Sequence, residues 1–130
     1  MAGFDTNVIV RVLVGDDPAQ TRKAERAFAL HAASDGVFVS LVVLAEVSWV
    51  LNSAYEWDRA TIHAQVSRLV RTRGVVVEEL ELAQAALDAY EHGKAGLADY
   101  LILGKARRGP GGALVTFDRR LARDKGVTLL

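Results

Sequence analysis

Short runs of β-branched residues alternate along the chain with longer segments in which apolar residues recur every three or four positions. The short runs predict strands at Val37 to Val39, Val75 to Val77, Ala113 to Val115 and Val127 to Leu129. The longer segments predict amphipathic helices between them. Strands that alternate with helices are typical of an α/β fold with a mostly parallel sheet.

The opening segment fits two descriptions. Phe4 to Val14 is rich in β-branched residues and, by propensity alone, reads as one strand. The alternative is a short strand at Ala2 to Phe4 followed by a helix from about Thr6 to Gly15. We predict the second division, because Val8 and Val12 then form an apolar pair one helical turn apart.

Polar and turn-forming residues mark where the helices begin and end. Helix starts are predicted from a capping side chain at Asp17 (followed by Pro18), Ser40 and Asp58. Helix ends are predicted at Gly74, Gly93 and Gly109.

Composition fits one soluble domain spanning residues 1 to 130. Hydrophobic residues make up 51% of the 130 positions, which is enough for one substantial core. The sequence has no cysteine, which excludes disulfides and thiolate metal sites and favours a reducing, cytoplasmic environment. No apolar run approaches the roughly 20 residues of a membrane-spanning helix, so we expect no membrane association.

The net charge is balanced, because sixteen basic and sixteen acidic side chains cancel. A nucleic acid would therefore have to contact a local group of cations. The candidates are three clusters, each of which can be a solvated helix face or a phosphate contact: Arg68, Arg71 and Arg73; Lys105, Arg107 and Arg108; and Arg119, Arg120, Arg123 and Lys125.

Two acids stand among apolar residues. Glu46 has Val42, Val43, Trp49 and Val50 as its helical neighbours, which predicts a buried helix with a carboxylate on its apolar face. Asp99 lies in a similar apolar helix, Leu97 to Leu103, and is also expected to face the interior. Burying an ionised carboxylate costs several kcal/mol unless it is paired, protonated or bound to a metal.

Two further acids follow predicted strands. Asp5 comes directly after the first strand, and Asp118 comes three residues after Val115. In an open parallel sheet, functional groups collect at the carboxyl ends of the strands. Ser40, directly after Val39, starts the helix that carries Glu46 over the same edge, so all four acids are expected to converge there.

The alternative is that each acid has its own basic partner, for which Arg11, Arg119 and Arg120 are the nearest candidates. We favour convergence, because these arginines are too few and too close in sequence to serve all four acids. Two carboxylates ~4 Å apart repel by about 4 kcal/mol at an effective dielectric near 20, and a divalent cation relieves that repulsion. An all-oxygen site without His or Cys favours Mg²⁺ or Mn²⁺ over Zn²⁺.

Several motifs together resemble the PIN domain, and more narrowly the VapC-type toxins of bacterial toxin-antitoxin pairs. They are Asp5-Thr6-Asn7-Val8, Ser40 with Glu46, Ala98-Asp99, and Thr116-Phe117-Asp118-Arg119. The resemblance runs from end to end and includes Asp16-Asp17-Pro18, Trp49-Val50-Leu51 and the closing Leu121-Ala122-Arg123. It departs from the usual pattern at Gly3, where an apolar strand residue is common, and at the bulky Tyr100-Leu101.

The resemblance implies a three-layer α/β/α fold and a metal-dependent endoribonuclease that leaves a 5′-phosphate and a 3′-hydroxyl. Asp5, Glu46 and Asp99 match the core metal ligands, and Asp118 matches a fourth acid that acts directly or through water. Polar positions that typically support such a site are matched by Thr6, Asn7, Ser40 and Thr116. The implied partners are an RNA substrate, a small antitoxin protein that covers the site, and a second copy of the chain in a homodimer.

Two other functions compete with this one. A phosphatase of the haloacid dehalogenase type also places an acid after its first strand, but it needs an aspartate two residues later, where this chain has Asn7. A catalytically inactive PIN-like binding module is the non-enzymatic alternative. The presence of all four acids argues against it.

Overall fold

The computed structural model describes all residues from Met1 to Leu130 and has the α/β architecture expected of a three-layer α/β/α fold. The strands are β1 (Ala2–Gly3), β2 (Val37–Val39), β3 (Val75–Val77), β4 (Leu114–Thr116) and β5 (Val127–Leu129). The helices are α1 (Thr6–Val14), α2 (Pro18–Ala33), α3 (Leu41–Ser53), α4 (Arg59–Arg71), α5 (Leu80–His92) and α6 (Leu97–Arg108), and a 3₁₀ turn spans Leu121–Arg123.

All strand pairs are parallel, as the alternation of elements predicted. β1, β2 and β3 form one ladder in chain order, with Val37 of β2 opposite both Ala2 of β1 and Val75 of β3. β4 and β5 form a second ladder, in which Leu114 lies opposite Val127. Each strand has only two or three residues, so much of the sheet edge is built by the loops and helix starts that follow the strands.

The opening segment adopts the second of its two predicted forms. Asp5 is the residue before α1, and its Oδ1 accepts a hydrogen bond from the backbone N–H of Asn7 at 2.8 Å, so the helix starts despite its β-branched residues. Ile9 and Val10 are almost completely buried, and this packing outweighs their preference for strands. Gly15 ends the helix in the left-handed conformation, with φ of 71°.

The other predicted helix starts are also observed. The side chains of Asp17, Ser40 and Asp58 accept hydrogen bonds from the backbone N–H of the third residue of α2, α3 and α4, respectively. Gly93 and Gly109 follow the last residues of α5 and α6 as predicted. Gly74 was expected to stop α4, but that helix already ends at Arg71. Gly74 instead forms the turn into β3, with φ of 88°.

One hydrophobic core joins the elements. Its most deeply buried side chains come from the middle of the sheet and from the inner faces of the helices around it, and they include Val37, Val39, Leu44, Leu51 and Leu97. Burying each such side chain contributes roughly 1.5–3 kcal/mol.

None of the helices combines the length and the apolar character that crossing a membrane demands. The strand predictions are confirmed to within one residue. β1 stops one residue before the predicted Phe4, and β4 lies one position after its predicted range of Ala113 to Val115.

Candidate active site

Asp5 stands at the junction between β1 and α1. Its Oδ1 caps α1, and no hydrogen bond within the chain engages its Oδ2. The side chain is exposed. One carboxylate oxygen therefore stabilises the helix start, and the other is free for a ligand.

Glu46 lies beside the same helix start. The hydroxyl of Thr6, at the first position of α1, donates a hydrogen bond to Glu46 Oε1 at 2.8 Å. This bond joins α1 to the middle of α3 and places Glu46 next to the residue that follows Asp5. Glu46 Oε2 has no hydrogen-bond partner in the chain.

The environment of Glu46 differs from the sequence prediction. The apolar neighbours predicted a helix buried on all sides, but Glu46 is exposed, and Val42 and Trp49 are 67% and 68% exposed. The core instead covers the opposite face of α3, where Leu44, Val47 and Leu51 are buried. The energetic argument for a buried, compensated Glu46 was therefore wrong, because the apolar stripe around it meets solvent.

Asp99 lies in the first turn of α6 and is half-buried. Its Oδ2 accepts a hydrogen bond from the backbone N–H of Gly96 at 2.9 Å, which closes the turn before the helix. Its Oδ1 has no partner in the chain. Asp99 was predicted to face the interior, and its surroundings bear this out only in part. Its neighbours Ala95 and Leu103 are buried, but its neighbour Ile102 is 55% exposed.

Asp118 is arranged differently from the other three acids. Its Oδ2 accepts a hydrogen bond from a terminal nitrogen of Arg120 at 3.1 Å, and its Oδ1 accepts from the backbone N–H of Arg120 at 2.8 Å. The side-chain hydrogen bond from Arg120 is the main cause that lowers the pKa of Asp118, and the same contact raises the pKa of the guanidinium. Asp118 therefore follows the alternative prediction, in which an acid is paired with a nearby arginine.

Three of the four polar residues expected to support the site form side-chain hydrogen bonds. Thr6 binds Glu46, and the hydroxyl of Thr116 accepts a hydrogen bond from the backbone N–H of Asp118 at 2.9 Å. Ser40 accepts from Val43 N–H at 3.2 Å and so starts the helix that carries Glu46. Asn7 contributes its backbone N–H to Asp5, and its side chain forms no hydrogen bond.

The four carboxylates do not form one compact group. Asp5 and Glu46 are neighbours through Thr6, whereas Asp118 is paired with Arg120, which lines the same cavity as Asp99. No set of three or more acidic or histidine side chains lies close enough together to hold a metal ion. The acids stay apart because each one accepts a hydrogen bond from a donor within its own turn or from the adjoining helix, and that bond holds one of its carboxylate oxygens.

A cavity of about 380 Å³ opens beside Asp99. Its walls come from α3, the start of α4, the end of α5, the start of α6 and the loop after β4, and the polar and aromatic residues among them are Ser48, Trp49, Asn52, Arg59, Tyr90, Asp99 and Arg120. Trp49 is exposed, whereas the nearby Tyr55 and Trp57 pack against the core.

Arg59 was not anticipated from the sequence as part of the site. Its guanidinium donates to the backbone carbonyls of Tyr90 and Ala95 and lies 4.1 Å from the centre of the Tyr90 ring. These contacts fix the loop between α5 and α6, just before Asp99. The only sequence signal was an arginine in the first turn of a helix, where the helix dipole disfavours a cation.

Comparison with known proteins gives one match. The family model described as PIN domain matches residues 4–126, which is nearly the whole chain. PIN domains are typically metal-dependent nucleases. No significant match is found among curated proteins or among solved structures.

Proposed function

Because the chain belongs to the PIN domain family, we propose that it is an endoribonuclease that hydrolyses RNA phosphodiester bonds with the help of Mg²⁺ or Mn²⁺. The observation that carries the proposal is shared by Asp5, Glu46 and Asp99. Each accepts one short hydrogen bond with one carboxylate oxygen and keeps the other oxygen free. Three single free oxygens and no nearby His or Cys are a donor set that suits Mg²⁺.

Asp5, Glu46 and Asp99 would hold the ion after their side chains turn toward it, because in this structure they do not lie close enough together to share one. When bound, a divalent ion lowers the pKa of a water molecule and neutralises negative charge on the phosphate. Asp5 and Glu46 are exposed, so their free oxygens can turn toward a shared cation without disturbing the core. The hydrogen bonds from Asn7 N–H, Thr6 and Gly96 N–H anchor one oxygen of each carboxylate and leave the other oxygen to turn toward the ion.

Asp118 serves the reaction through Arg120 in this proposal. Its carboxylate fixes the guanidinium close to Asp99, where a cation can contact the phosphate that is cut. The oxygen of water attacks phosphorus and gives up a proton, the bond to the 3′-oxygen breaks, and that oxygen takes up a proton, which leaves a 5′-phosphate and a 3′-hydroxyl. Asp118 is then a positioning residue, in contrast to the direct role that the resemblance implied.

We further propose that the enzyme acts as the toxin of a toxin-antitoxin pair in a cytoplasmic setting. The support is the VapC-like order of motifs, together with exposed apolar side chains on α3 and α6, Val42 and Ile102, that suit a protein partner. The partner would be an antitoxin that covers the acids, and a second copy of the chain would form a homodimer.

The decisive experiment compares wild type with Asp5→Asn. The variant removes a charge and keeps an oxygen that can cap α1, so it is expected to fold normally and to lose cleavage of RNA. Asp88→Asn is the matched control, because Asp88 is an exposed acid whose side chain forms no hydrogen bond. Sequencing the 5′ ends of RNA after brief expression should show new ends for wild type and Asp88→Asn only. Full activity of Asp5→Asn, or of wild type in excess chelator, would overturn the proposal.

The two competing functions have their own readouts. A trapped aspartyl-phosphate on Asp5 would revive the phosphatase, although Asn7 occupies the position where that chemistry needs a second aspartate. Calorimetry with Mn²⁺ that detects no binding would favour an inactive binding module.

A further inference from the structure

Trp49 lies in an unusual position on α3. It follows Glu46 by one helical turn on the same face, and it is 68% exposed although a large core is available on the other side of the helix. Val42 lies one turn before Glu46 on that face and is equally exposed. Trp49, unlike Val42, lines the cavity beside Asp99.

The cavity combines the groups that bind a nucleotide. Trp49 supplies an aromatic plane, Asn52 supplies an amide that can donate to or accept from a base edge, and Arg120 supplies a cation. Asp99, one of the proposed ligands of the metal, lines the same cavity. At about 380 Å³ the cavity lies within the range of ~300–1,000 Å³ for small-molecule sites, so it accommodates a single nucleotide.

Arg120 keeps donors available for a phosphate. Two of its nitrogens, Nε and one terminal nitrogen, bind the carboxylate of Asp118, and the other terminal nitrogen has no partner in the chain. Because a guanidinium carries five N–H donors, Arg120 can bind Asp118 and a phosphate oxygen together.

A second cavity of about 360 Å³ also has Arg120 in its wall. Lys94 and Arg123 line it as well, and Asp124 is its only acidic side chain. Arg120 therefore lies between two cavities. The first is lined by Trp49 and Asp99, and the second is lined by Lys94 and Arg123. A single strand that crosses Arg120 would have bases on one side and phosphates among cations on the other, which is the usual arrangement in proteins that bind single-stranded nucleic acid.

We propose that Trp49 stacks against an unpaired base of the RNA next to the phosphate that is cut, while Arg120 holds that base's phosphate. The inference rests on the proposed ribonuclease activity and adds to it the two side chains that hold the nucleotide beside the cut. A base inside a duplex is stacked between its neighbours and cannot also stack on Trp49.

The test measures binding in an Asp5→Asn background, in which RNA is not cut. A short fluorescein-labelled RNA is titrated by anisotropy as a single strand and as a duplex with its complement. Trp49→Ala is expected to weaken single-strand binding about tenfold, the loss typical of one base stack, and Trp49→Phe is expected to retain most of it. The duplex is expected to bind weakly and to be insensitive to either substitution.

Val42→Ala is the matched control, because Val42 is equally exposed on the same face and lies outside the cavity. It is expected to leave RNA affinity within about twofold, as most surface substitutions do. Fluorescence supplies a second readout. The chain has two tryptophans, so in a Trp57→Phe background quenching by RNA reports Trp49 alone.

The outcomes separate the inference from the activity on which it rests. If wild type cuts RNA with Mn²⁺ but Trp49→Ala binds and cuts as well as wild type, the inference is wrong and the proposed function stands. If both Trp49→Ala and Val42→Ala change the oligomeric mass in light scattering while RNA affinity stays constant, the face is a protein interface and the inference is wrong. If wild type neither binds nor cuts RNA with Mn²⁺, both are overturned.

Discussion

The hydroxyl of Thr6 donates a hydrogen bond of 2.8 Å to Glu46, forty positions later in the chain. It joins the first turn of α1, which Asp5 caps, to the exposed stripe of α3. This contact therefore links the elements that carry two of the proposed metal ligands, Asp5 and Glu46. The contact is small enough to remove without unfolding the protein, which makes it a sensitive point for experiment.

Thr6→Val replaces the hydroxyl with a methyl group of similar size and frees Glu46 from its anchor. Because partners that orient metal ligands are typically worth about 10- to 100-fold in metal affinity or activity, we expect a loss of that order in RNA cleavage. Thr6→Ser keeps the donor and should be much closer to wild type. Cleavage rates and Mn²⁺ calorimetry on both variants provide the measurement, and equal activity of Thr6→Val and wild type would contradict the anchoring role.

Asp118→Asn tests the pair with Arg120 through pH. The pKa of Asp118 is lowered in the folded protein from its ordinary value of 3.8, chiefly by the Arg120 side chain. A lowered folded-state pKa contributes stability that is present above the ordinary pKa and lost as the pH falls through the folded-state value. The variant should therefore melt at a lower temperature than wild type at pH 7, and the difference should disappear in strong acid. A difference that persists unchanged in strong acid would show that another interaction is lost.

Asp99→Asn separates metal binding from folding. The amide oxygen of asparagine can still accept the hydrogen bond from Gly96, so stability without metal is expected to stay within about 0.5 kcal/mol of wild type. Wild type should gain roughly 2.7 kcal/mol when Mn²⁺ is a hundredfold above its dissociation constant, and the variant should gain far less. Thermal melts with and without Mn²⁺ measure both quantities. A large loss without metal would mean that Asp99 is mainly a structural partner of the nearby Arg120.

Gly93→Ala tests the close packing of the loop before Asp99. A Cβ atom at Gly93 would overlap the hydroxyl of Tyr100, a buried residue of α6, and overpacking of this kind costs about 1–3 kcal/mol. Gly3→Ala is the control, because a Cβ there meets only Phe38 at an ordinary 3.9 Å. Chemical denaturation should show a large loss for Gly93→Ala and little change for Gly3→Ala; equal stabilities would mean that Tyr100 moves aside freely.

Much of the fold could be predicted from the sequence because local signals and packing agree. Asp5, Asp17, Ser40 and Asp58 cap the helices that they were predicted to start, and the valine runs form parallel strands at or next to the predicted positions. Such capping depends on residues only two or three positions apart, so it can be recognised without knowledge of the tertiary structure.

The surroundings of the acids were harder to predict. The apolar sequence around Glu46 does not say which side of α3 the rest of the protein covers, and the core covers the side opposite Glu46. Arg120 binds Asp118 across two positions of a loop, a spacing for which helical periodicity gives no rule. Trp49 and Arg59 depend in the same way on elements distant in sequence, α5 and α6, that form the cavity with them.

In each of the three acids, one carboxylate oxygen accepts a hydrogen bond and the other is free, and this arrangement affects how a metal ion and RNA would bind to the proposed site. Asp5, Glu46 and Asp99 would offer one oxygen each to a bound Mg²⁺, and water or phosphate would supply the other ligands. Phosphate oxygens from RNA would complete the shell of ligands around the ion. Ion and substrate then bind cooperatively, and linkage requires that each raise the affinity of the other by the same factor.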